Sequence, residues 1–124
     1  NDILIIYMDI LIYIIFILYD YMVKYVKIID SDSSKKKLKA IFYNDMKKKI
    51  KTIHFGSKGM KDYTLHSKDV ADERKRLYIV RHKKREDWTN PMTAGTLSRF
   101  ILWNLPTRQA SIKNYMNRFK LTPL

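Results

Sequence analysis

Arg74, Tyr78, Arg81 and Arg85 follow one another at intervals of three or four residues, the spacing that sets side chains on one face of a helix. Lys75 and His82 lie beside that stripe, and Lys83 and Lys84 extend it. A guanidinium fork grips phosphate oxygens at two points, and a phenol ring can stack on a base or sugar. Lys47, Lys48, Lys49 and Lys51 form a second cationic run, with Lys58 further along. Together these residues read as a surface for the phosphates of a nucleic acid. The competing reading is a solvated helix face whose Arg and Lys stems cover apolar surface. Net charge favours the first: 25 Lys and Arg against 12 Asp and Glu leave +13, and such an excess draws anionic partners.

Other chemistry has less support. His54, His66 and His82, with Asp62, Asp69 or Asp72 nearby, are the raw material for a metal site or an acid–base pair, but intervals of 12 and 16 residues match no zinc pattern. There is no Cys, so neither a disulfide nor a thiolate site exists, in keeping with a reducing compartment. Gly56-Ser57-Lys58-Gly59 lacks the spacing of a Walker A loop and reads as a turn that needs positive φ. Ser57, Ser67 and Ser98 lie in no nucleophile-elbow context, and Trp88 and Trp103 read as core or interface anchors. The expectation is no catalytic residue, no cofactor and no metal.

The elements that position these residues follow from local pattern. Residues 23–29 alternate apolar and polar, as a half-exposed strand does. Residues 39–43 and 49–55 are rich in β-branched and aromatic residues, and Asn44-Asp45 between them predicts a β-hairpin. A helix is predicted over 70–85, capped by Asp69, with Val70, Leu77 and Val80 as its apolar stripe. A second helix follows over about 93–103, and a third starts at Thr107 and carries Ile112, Tyr115, Met116 and Phe119 on one face. The expected class is α+β: an N-terminal β-hairpin or three-stranded meander, then about three short helices.

Residues 1–21 stand apart. They hold eight Ile and three Asp but no Lys, Arg, Gly, Ala, Val, Ser, Thr or Pro. Ile, Leu, Tyr, Phe and Asn all have codons of A and T alone, so this apolar low-complexity leader reads first as in-frame read-through of AT-rich sequence. A membrane anchor over residues 3–19 is the alternative, with Asp9 a costly charge near its middle. The remaining residues 22–124 read as a single small basic α+β domain with 25 bases, nine acids and a net charge of +16.

Several stretches occur together and in order: HFGSKGMKDYTLH (54–66), RLYIVRHKKREDW (76–88), NPMTAG (90–95) and SRFILWNLP (98–106), followed by Ser111, Ile112 and Phe119. Over about residues 38–121 the chain resembles a family of small basic proteins of unknown function from nucleocytoplasmic large DNA viruses. The resemblance implies a viral origin and a place in the virion or the infected cell. It carries no enzymatic activity and no catalytic residue. The expectation is a non-enzymatic packaging or structural protein whose partner is nucleic acid, DNA first. A minor capsid or membrane-apposed protein, bound to acidic capsid partners and anchored only if residues 1–21 are genuine, comes next. A phosphoryl-transfer enzyme comes last.

Overall fold

The computed structural model describes the backbone of residues 1–124 and every side chain except those at 16 and 19–21. The chain opens on helix α1 (Asp2–Tyr21), whose start is capped by Asn1, its side chain accepting from the Ile3 N–H at 2.8 Å. Strands β1 (Val23–Asp30), β2 (Lys36–Asn44) and β3 (Lys49–Ser57) follow. Next come α2 (Lys68–His82), α3 (Ala94–Leu97) running into a π-helical turn (Ser98–Leu102), α4 (Arg108–Phe119) and the two-residue strand β4 (Thr122–Pro123).

The α+β class stands, but a chain that leads with a hairpin or meander and ends in helices does not. A 20-residue helix comes first, and the last element returns to the sheet, whose order is β3-β2-β1-β4. β4 lies parallel to β1, with Thr122 beside Tyr25 and Pro123 beside Val26. Pro123 has no N–H to give, which suits an edge strand. Among the described residues no helix is long and apolar enough to cross a membrane.

Antiparallel register sorts the sheet into two faces. Val26 pairs with Phe42, Leu38 with Phe55 and Ala40 with Ile53, and this face packs on Leu97, Ile101, Leu102 and Tyr115 to form the core. The β2–β3 turn is held from within: the buried Asn44 accepts through its side chain from the Met46 and Lys48 N–H groups at 3.0 and 2.9 Å. Thr107 caps α4, accepting from the Ala110 N–H at 3.2 Å. At α2 the cap is Ser67, while Asp69 lies in the first turn, where its charge still favours the positive helix end.

Candidate nucleic-acid interface

Helix α2 is turned differently from its sequence pattern. Val70, Leu77 and Val80 are exposed, and the buried residues are Ala71 and Tyr78. The reason is a stack of rings. Tyr78 lies between Trp103, with centroids 5.4 Å apart, and His82, at 4.3 Å; His66 continues the stack beyond Trp103 at 6.3 Å. The small Ala71 lets this face approach its neighbours. Tyr78, 8% exposed, is therefore a packing residue and no platform for a base. Burial, with the nearby Glu86 charge, pushes its phenol up to about 12.

Lys75 is also drawn inward. Its ammonium donates to the Asn104 carbonyl at 3.1 Å and lies 5.8 Å from the Tyr63 ring centre. Desolvation and the Arg99 charge lower its pKa.

The rest of the stripe faces solvent, but α2 ends at His82 rather than at Arg85, so Lys83, Lys84 and Arg85 lie in the turn beyond it. Arg74, Arg81, Lys83, Lys84 and Arg85 are exposed, and among the described residues none has a carboxylate within salt-bridge distance. Residues 81–85 also neutralise the carbonyl end of α2, which gives them a structural reason to be cationic. Arg74, in mid-helix, has no such reason.

Two clefts border this face. The larger, about 370 Å³, lies between α2, the end of β3 and the π-helical turn, and carries Lys36, Lys61, Arg81, His82 and Glu86. The smaller, about 240 Å³, has Lys61, Arg74, Arg81, His66 and Trp103 in its wall. Arg81 and Lys61 thus stand on the ridge between them. Lys36 and Lys61 escaped the sequence reading because they come from separate elements; only the fold brings them to α2. Lys58, whose N–H donates to the Lys35 carbonyl at 3.0 Å, lines neither cleft.

The hairpin lysines line neither cleft either. Lys47, Lys48 and Lys49 sit at the opposite end of β3 from Lys58, about 30 Å away along the strand at ~3.3 Å per residue. Lys51 points to the helix layer and donates to the Met92 carbonyl at 3.4 Å. The predicted surface is therefore split into a helix-and-cleft patch and a separate hairpin end.

The larger cleft also holds two acidic groups, of which Asp62 is paired with cations. Asp62 is buried, takes Lys37 at 3.0 Å and lies 3.6 Å from Arg108. Glu86 faces His82 at 3.7 Å and packs on Gly95, where any Cβ would overlap its carboxylate.

The histidines do not converge. Two rings separate His66 from His82, and His54 is on β3, bonded to Ser31 at 2.7 Å. Among the described residues no group of three His, Cys, Asp or Glu is placed to hold a metal. Gly56 and Gly59 both have positive φ, and Gly56 also packs against Leu102.

No match is found among curated proteins or solved structures. Residues 26–82 are similar to a family of unknown function (DUF5754), a span that takes in most of β1, β2, β3 and α2 and leaves out the later helices.

Proposed function

We propose that the protein is a non-enzymatic nucleic-acid-binding protein, a packaging or structural component of a large DNA virus, that grips phosphates through α2 and its bordering clefts. The observation that carries this reading is a group of cations gathered at one place that have no carboxylate within salt-bridge distance among the described residues: Arg74 and Arg81 on α2, with Lys36 and Lys61 across the clefts. Contacts of this kind are sequence-neutral and release counterions, so log affinity falls with log salt at about −0.9 per phosphate neutralised. The test is duplex DNA binding between 50 and 200 mM salt. A steep slope that flattens by about two in the Arg74→Ala/Arg81→Ala variant supports the reading; an affinity indifferent to salt overturns it. The virion location draws on the sequence resemblance, and co-purification with the viral genome rather than the shell tests it.

A minor capsid or membrane-apposed protein is the second reading. It draws on the exposed apolar side chains of α1 and on Val70, Leu77 and Val80, an apolar surface of the kind that marks contact sites. Fractionation with the shell after virion disruption favours it.

A further inference from the structure

The sheet has a second face, opposite the one that packs on Leu97, Ile101, Leu102 and Tyr115. Strand register arranges it in three rows: Tyr25, Tyr43 and Lys49; Lys27, Ile41 and Thr52; Ile29, Lys39 and His54. All nine residues are exposed or half-exposed. The grid holds three lysines and no acid.

Two acids at its border are already paired, Asp32 with Lys39 at 3.3 Å and Asp45 with Lys24 at 2.7 Å. Among the described residues Lys27 and Lys49 have no acidic partner. Two more cations, Lys24 and Lys47, stand 5.6 and 5.8 Å from the centre of the Tyr25 ring.

We infer that this face binds single-stranded nucleic acid, with bases stacked on Tyr25 and Tyr43 and phosphates on the lysines around them. The inference rests on the nucleic-acid reading above but uses a different surface. Its occupant follows from chemistry. The cationic rim selects a polyanion. The neighbouring phenol rings select one that offers free π-faces, and a duplex keeps its base faces stacked inside. Neighbouring strands lie about 4.8 Å apart and alternate residues about 6.7 Å apart, so the three rows make a platform a few nucleotides long. Stacking on such rings tolerates any base sequence.

The probe is a fluorescently labelled oligo(dT), compared with a labelled duplex, and binding is read by anisotropy on the full chain. Tyr25→Ala and Tyr43→Ala are expected to weaken oligo(dT) binding by about five- to 150-fold each, the equivalent of ~1–3 kcal/mol per stacked base. Tyr25→Phe and Tyr43→Phe keep it, and none of the four changes duplex binding. Lys27→Glu, at an exposed position, weakens oligo(dT) without touching the fold. If the Phe variants lose as much as the Ala variants, or if Lys27→Glu and the Ala variants bind oligo(dT) like the wild type, the inference is overturned while the α2 reading stands. Self-association that Tyr43→Ala removes, with oligo(dT) affinity unchanged, overturns it in favour of a second copy on this face. Loss of duplex binding in Arg74→Ala/Arg81→Ala bears on the α2 reading alone.

Discussion

The ring of Tyr78 lies nearly parallel to that of Trp103, with an interplanar angle of 17° and centroids 5.4 Å apart, and this contact decides which side of α2 meets solvent. It takes the one aromatic residue of the cationic stripe inward and leaves Arg74 and Arg81 outside. Tyr78→Ala empties a buried ring site and is expected to cost about 3 kcal/mol of stability. Tyr78→Phe keeps the stack and stays within about 1 kcal/mol of the wild type. Urea unfolding checks both. The same Phe variant should bind duplex DNA as the wild type does; a large loss would return Tyr78 to the ligand-contacting set.

Asp62 ties the loop after β3 to two other elements through Lys37 and Arg108. Burial pushes its carboxyl upward, but hydrogen bonds from Thr64 and Lys37, together with the Lys37 charge, outweigh that and hold it below the ordinary value. A carboxyl depressed on folding stabilises the native state at pH above its unfolded value of about 3.9. That stability drains away as pH falls through the lower folded value. Asp62→Asn leaves Lys37 and Arg108 without their carboxylate and is expected to cost about 3 kcal/mol at pH 7. The variant should also show a flatter stability profile between pH 5 and 3. An unchanged acid profile would show that the pair adds nothing on folding.

Arg81 stands on the ridge between the clefts, whereas Lys48 lies at the far end of the hairpin. Arg81→Ala is expected to lower duplex affinity about fivefold at low salt and to reduce the salt slope by about one. Lys48→Ala should change affinity by less than about twofold. Equal losses would mean that the duplex spans both ends of the sheet.

Local pattern and charge were open to reading in the sequence; long-range choices were not. The alternation of residues 23–29 and the Thr107 signal act over a few residues, and β1 and the α4 cap lie where those signals are. Helix α1 is Ile-rich, and a nearly unbroken apolar run has no period to read. The orientation of α2 depends on Trp103, a partner 25 positions from Tyr78, so Val70, Leu77 and Val80 made the better local stripe and the wrong one. The clefts gather Lys36, Lys61 and Arg81 from three elements, and no window of sequence holds all three. β4 is two residues long and pairs in parallel with a strand from the other end of the domain, which leaves almost no local trace.

Gly56 and Gly59 separate two reasons for glycine in one loop. Both have positive φ, at 77° and 83°. A Cβ at Gly59 would meet nothing within 4 Å, whereas one at Gly56 would lie 2.7 Å from Leu102 Cδ1. Gly59→Ala therefore carries only the backbone penalty, about 1 kcal/mol. Gly56→Ala adds the clash with a core side chain and is expected to cost roughly 2–3 kcal/mol. Leu102→Val removes the δ-methyl that the new Cβ would strike, so the double variant should lose less stability than the two single changes combined. Thermal unfolding of the four proteins closes the cycle, and strict additivity would show that Leu102 is not what holds position 56 to glycine.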